Sequence, residues 1–140
     1  MNSLIRRQRA TEATIARYDG KPFTWGRYDC ARMAAFQLRG MGKRVSLLKG
    51  GRYSSPLGAA KALKRLGYAD LGEAVDALGL PRIAPAAAIM GDLVGMPSED
   101  GKVALAVAVG NGLVLGAQGG RIAILTPIIR TTAWRVDWRK

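Results

Sequence analysis

The chain's single cysteine, Cys30, closes the run Phe23-Thr24-Trp25-Gly26-Arg27-Tyr28-Asp29 and is the one soft nucleophile available. Ala31, Ala34, Ala35 and Leu38 continue from it at helical spacing, so the pattern predicts a helix over Cys30 to Arg39, closed by Gly40 and Gly42. Asp29 stands at the N-cap, where its carboxylate accepts from free N–H groups of the first turn. A thiol in that turn meets unpaired N–H groups and the positive end of the helix dipole, both of which favour the thiolate and lower its pKa. Cys30 therefore sits where a nucleophile for acyl transfer would be.

Acyl transfer also needs a group that takes the thiol proton and returns it to the leaving amine, a contribution of roughly two to four powers of ten in rate. The chain contains no histidine, so the usual carrier of that proton is absent. With no histidine and one cysteine, a disulfide within the chain and a cysteine-rich zinc site are excluded, and neither a metal nor a cofactor is expected.

The elements around this position read as helices followed by strands. Ser3 to Tyr18 is predicted as an amphipathic helix inside an N-terminal unit of residues 1–20, with Leu4, Ala10, Ala13 or Thr14, and Tyr18 inward and Asp19-Gly20 as the stop. Residues 21–80 form the remaining helical part. There, Ser55-Pro56 starts a helix with Leu57, Ala60, Leu63 and Leu66 facing the core, and Asp70 caps a short one through Leu71, Ala74, Val75 and Leu78. Pro81 to Met90 is expected to cross between two layers of one domain. Residues 91–137 carry short apolar runs at Leu93-Val94, Val103 to Val109, Leu113 to Leu115, Ile122 to Leu125 and Ala133 to Val136, the pattern of a small antiparallel sheet or half-barrel. Gly110-Asn111-Gly112 is a hairpin signal. Helices first and a strand meander after predict an α+β fold in one domain spanning residues 1–140.

Trp25-Gly26 with Asp29-Cys30, followed by Gly91-Asp92-Leu93-Val94 and an apolar strand ending in Gly110-Asn111-Gly112, resembles the NlpC-type branch of the papain-like cysteine peptidases. The turn at Gly51-Arg52-Tyr53, the helix Gly58-Ala59-Ala60-Lys61-Ala62-Leu63 and the closing Ala133-Trp134-Arg135-Val136 resemble, more narrowly, a small family encoded among tail-assembly genes of tailed phages. The similarity runs from about Pro22 to Val136. It implies a cysteine that begins a helix packed on a small sheet, with a histidine on the facing strand. Aligned on that strand, the histidine's place falls near Ala104 and a glycine's near Ala106, while the third polar position falls between Leu115 and Gln118, where only Gln118 can hydrogen-bond. Ala31-Arg32 stands where such peptidases carry Ser-Gly. Cys30 then occupies a vestigial nucleophile position.

The resemblance and the missing base together imply a noncatalytic structural component of a phage tail tip or tail-assembly complex, found in the virion and made in the host cytoplasm. Its expected partners are other tail proteins: hub, distal tail, tape-measure or central fibre proteins. The alternative is a tail-associated peptidoglycan hydrolase, an amidase or endopeptidase using Cys30. The formal charge of +12, from 22 basic and 10 acidic residues, adds DNA as a partner by charge alone, although no helix-turn-helix, aromatic RNA-binding strand or zinc module accompanies it. The basic residues, among them Arg6, Arg7, Arg9, Lys43, Arg44, Lys49, Arg52, Arg130, Arg135, Arg139 and Lys140, read as a solvated surface. No membrane insertion is expected, because the longest apolar run, Val103 to Val109, is far shorter than a bilayer span.

Each singled-out residue also has a structural reading. Cys30 on an alanine-rich face reads as a small buried hydrophobe. Asp29 reads as a helix cap paired with Arg32 or Arg27, and Asp92 as a turn residue at the start of a strand. Trp25, Trp134 and Trp138 read as packing anchors, with Trp138 also able to dock a partner. Gly50-Gly51 lacks the lysine and serine of a phosphate-binding loop.

Overall fold

A computed structural model of the chain describes residues 2–45, 47, 53–98 and 102–137. Lys49, Gly50, Gly51, Arg52, Trp138, Arg139 and Lys140 lie outside the described residues. Four helices come first: α1 (Ser3–Tyr18), α2 (Cys30–Gly40), α3 (Pro56–Arg65) and α4 (Leu71–Asp76). Each begins at a short polar side chain that accepts from the first turn. Asn2 takes Ile5 N–H, Asp29 takes Arg32 N–H, Ser55 takes Gly58 N–H and Asp70 takes Glu73 N–H, all between 2.9 and 3.0 Å.

Six strands follow: β1 (Arg82–Ile83), β2 (Leu93–Pro97), β3 (Val103–Gly110), β4 (Leu113–Gln118), β5 (Arg121–Leu125) and β6 (Thr132–Trp134). They form one antiparallel sheet in the order β1-β6-β2-β3-β4-β5. The β3–β4 hairpin turns on Asn111 and Gly112, both left-handed at φ 55° and 75°, the pairing that a two-residue turn matched to sheet twist requires. The crossover expected over Pro81 to Met90 holds a strand, β1, and a 3-10 turn at Pro85–Ala87. Two residues are too few to show alternation, and β1 exists because β6 lies beside it. The last strand stops at Trp134; Val136 is buried beyond it.

α2 packs on β3 and against α1. The helix-facing side of the sheet contributes Leu93, Leu105, Val107, Leu115, Ile122 and Trp134 to a core shared with Cys30, Met33, Ala34 and Leu38 of α2. The other side holds a smaller cluster of Val94, Ala106, Ala108, Val114 and Ala133, with Ile83, Met96 and Leu125 against it. All six strands supply a residue to this second cluster and the four α-helices supply none.

Two inward faces differ from expectation. On α3 the buried residues are Ala59, Ala62 and Leu63, whereas Leu57 is 64% exposed. Stripes through either leucine or alanine share Leu63, and the alanine stripe wins because small side chains let α3 lie close to the core. On α1, Leu4 is exposed and Arg7 is buried, because Arg7 finds a carboxylate inside the protein. Among the described residues, no helix is long and apolar enough to cross a membrane.

Candidate functional site

The loop before α2 is organised by one buried carboxylate. Asp29 Oδ1 accepts from Arg32 N–H at 2.9 Å, and Oδ2 accepts from Gly26 N–H and from the Tyr53 hydroxyl, both at 2.8 Å. Asp29 thus ties the turn at Gly26, the start of α2 and the segment before α3 at one point. It takes Arg32 through the backbone; no ion pair forms with Arg27 or Arg32. Burial and the adjacent Asp29 carboxylate both push the Tyr53 hydroxyl well above the usual tyrosine range, so it remains a donor. Gly26 is required by the approach of the two segments. Its φ is +81°, and a Cβ there would fall 1.9 Å from the Tyr53 carbonyl oxygen. Trp25, half-buried, meets Phe23 edge to face at 5.0 Å.

Cys30 opens α2 as expected, but its thiol is closed off. It is 8% exposed, and burial pushes its pKa up to about 11. A backbone hydrogen bond from Leu105 and the amides of the helix start act in the opposite direction without overcoming desolvation. The helix terminus alone predicts a lowered value; the apolar cover over it reverses the sign. At pH 7 a thiol at about 11 is ionised in only about one molecule in ten thousand, and the thiolate is the reactive form.

The strand opposite Cys30 offers no base. Val103, Leu105, Val107 and Val109 are the β3 residues on the helix side. Ala104 lies between two of them, so the pleat turns its methyl group to the opposite face of the sheet from Cys30, and Ala106 follows it there. Gln118 is exposed and on that same far face, two residues beyond Gly116, whose Cβ position faces Met96 and Ala106. The structure therefore does not bring Ala104 or Gln118 together with Cys30. A histidine at position 104 in this register would point away from the sulfur.

Asp92 does more than begin a strand. Completely buried, it accepts from Arg7 Nη1 at 3.0 Å, Arg135 Nε at 2.9 Å, Val136 N–H at 2.9 Å and Ile89 N–H at 3.0 Å. Arg7 and Arg135 belong to this hub and not to the basic surface. Trp134 is fully buried with its indole N–H on Asp76 Oδ1 at 2.8 Å, and Asp76 also holds Arg82.

Residues 4–136 match the family described as "Domain of unknown function (DUF6950)". The chain belongs to that family. No curated protein matches it. The family's description assigns no chemistry, so the site is read from its own geometry.

One feature beside Cys30 escaped the reading of the sequence. Between α1, the turn at Gly26, α2 and Tyr53 lies a cleft of about 300 Å³, lined among others by Arg17, Arg27, Arg32, Arg39, Tyr18 and Tyr53. Arg32, Ala35, Phe36 and Arg39 lie at i, i+3, i+4 and i+7 on one face of α2, a signal hidden by reading only the helix's alanine face. Among the described residues, no group of three or more histidine, cysteine, aspartate or glutamate side chains could hold a metal ion.

The state of Cys30 is measurable. Iodoacetamide should alkylate it about a hundredfold more slowly in the folded protein than in urea, the ratio expected for a thiol at about 11 against 9.0, and the folded rate should climb tenfold per pH unit toward pH 11. A folded rate near neutral pH equal to the unfolded one would refute the buried, protonated thiol.

Proposed function

We propose that the chain is a noncatalytic structural component of a bacteriophage tail tip or tail-assembly complex, built on a papain-like, NlpC-type arrangement whose reactive site has been lost. The observation that carries this reading is the closed thiol: Cys30 is buried, which pushes its pKa up to about 11, and the β3 residues on its side of the sheet are Val103, Leu105, Val107 and Val109. Nucleophilic catalysis needs a base within hydrogen-bond reach of the sulfur, and apolar side chains cannot act as one. The papain-like part of the reading draws on the resemblance around Trp25, Gly26, Asp29 and Cys30, and on a cysteine-bearing helix laid across an antiparallel sheet. The tail setting draws on the resemblance alone, with hub, distal-tail, tape-measure or central fibre proteins as partners. A retained fold without its chemistry is a packing module.

The test has two arms. Purified protein incubated with peptidoglycan should release no muropeptides above the level of a Cys30→Ala control, and the chain should be found by mass spectrometry in purified phage tails. Muropeptide release that vanishes in Cys30→Ala would replace this reading with a cysteine hydrolase. Absence of the chain from assembled tails and from their assembly intermediates would remove the tail assignment.

A further inference from the structure

The cleft beside α2 gathers positive charge, and among the described residues no acidic side chain lines it. Of its lining residues four are arginines, and among the described residues none of the four forms an ion pair. The carboxylate behind them, Asp29, is committed to Arg32 N–H, Gly26 N–H and the Tyr53 hydroxyl. Three guanidinium groups are oriented by rings: Arg32 over Tyr53 at 5.4 Å, Arg17 over Phe36 at 5.1 Å and Arg27 over Tyr28 at 5.1 Å. Stacking uses the face of a guanidinium and leaves its N–H edge to pair with oxyanions, an edge that on Arg17 is shared with the Tyr18 hydroxyl. Arg39 is steadied separately, by a bond from Nη1 to the Val45 carbonyl at 3.3 Å. In addition, the Arg32 Nε is buried and has no hydrogen-bond acceptor among the described residues. A buried donor without an acceptor is costly, and Arg32, which lines the cleft, carries that cost.

We propose that this cleft binds a phosphate monoester carried on a small organic group. A single carboxylate offers one negative charge and two oxygens, whereas a phosphate monoester carries about 1.5 to 2 negative charges and three acceptor oxygens, enough for several guanidinium edges at once. About 300 Å³ is at the small end of ligand sites, so the cleft holds a compact molecule and not a folded partner. Tyr18 and Tyr53 give the organic part an apolar wall. This site uses neither the thiol of Cys30 nor the tail assignment, and it stands apart from both.

Isothermal titration of the full chain at about 0.15 M salt, with phenyl phosphate, dimethyl phosphate and benzoate as probes, tests it. Phenyl phosphate should bind saturably and at least about tenfold more tightly than the two monoanions. Arg32→Gln and Arg27→Gln should each weaken it by about tenfold or more, while Lys61→Gln, an exposed change on α3 of the same charge, should leave it within about twofold. Arg27 is exposed, so its substitution leaves the fold intact even if the half-buried Arg32 does not tolerate change. No saturation by about 10 mM, a preference for either monoanion, or an equal loss in Lys61→Gln would overturn the proposal.

Discussion

Asp92→Ala should lower unfolding stability by about 3–5 kcal/mol, as measured by urea denaturation followed through tryptophan fluorescence. The carboxylate is fully buried and receives four donors from three parts of the chain: Arg7 on α1, the Ile89 N–H just before the turn, and Arg135 with the Val136 N–H after β6. Removing it strands the charge of Arg7, which is itself only 7% exposed and would keep the Met90 and Val136 carbonyls but lose its counter-ion. Asp137, 3.8 Å from Arg7 and 55% exposed, is too far and too solvated to replace it. Domains of this kind are stable by roughly 5–15 kcal/mol, so the loss takes about a fifth of the total or more. Arg135→Ala should cost less, because Arg135 is partly exposed and Asp92 would still be paired with Arg7. A loss below about 1 kcal/mol for Asp92→Ala would mean that the hub is not a stabilising junction.

Gly26→Ala should be the most damaging change near the cleft, and Gly79→Ala is its internal control. Both glycines have φ of +81°, so both variants bear the left-handed penalty of about 1–2 kcal/mol. A Cβ at Gly79 meets nothing within 4 Å, whereas at Gly26 it would overlap the Tyr53 backbone oxygen at 1.9 Å. Relief requires moving backbone, which should add about 1–3 kcal/mol over the control. The same movement would pull Tyr53 from Asp29, so phenyl phosphate affinity should fall together with stability. Equal destabilisation by the two variants would show that the Gly26 turn yields without strain and that the Asp29 junction is loose.

The helix starts were legible because they are local. Asp29, Ser55 and Asp70 each reach an amide three residues on, and no distant part of the protein has a say in that contact. Strand positions from Leu93 to Leu125 were legible for a similar reason, since apolar runs broken by glycine and asparagine mark both the segments and their turns. Which side of an element faces inward was less so. Leu57 and Ala59 compete for the inside of α3 on nearly equal patterns, and the neighbour that chooses between them is far away in sequence.

The site shows the same division more sharply. That this chain carries one thiol at a helix start and no imidazole anywhere is a matter of residue types and near-neighbour spacing, and no folding could alter it. That the thiol is protonated was decided by burial, a sum over the segments packed on Cys30 that outweighs the local dipole. The fate of Ala104 was decided by strand parity, where a slip of one residue exchanges the two faces of the sheet. Asp92 meets Arg7 across 85 positions and Arg135 across 43. The four cleft arginines come together from α1, the Gly26 turn and α2. Contacts across such separations leave no periodicity in the chain, because only the packed arrangement brings their partners within reach.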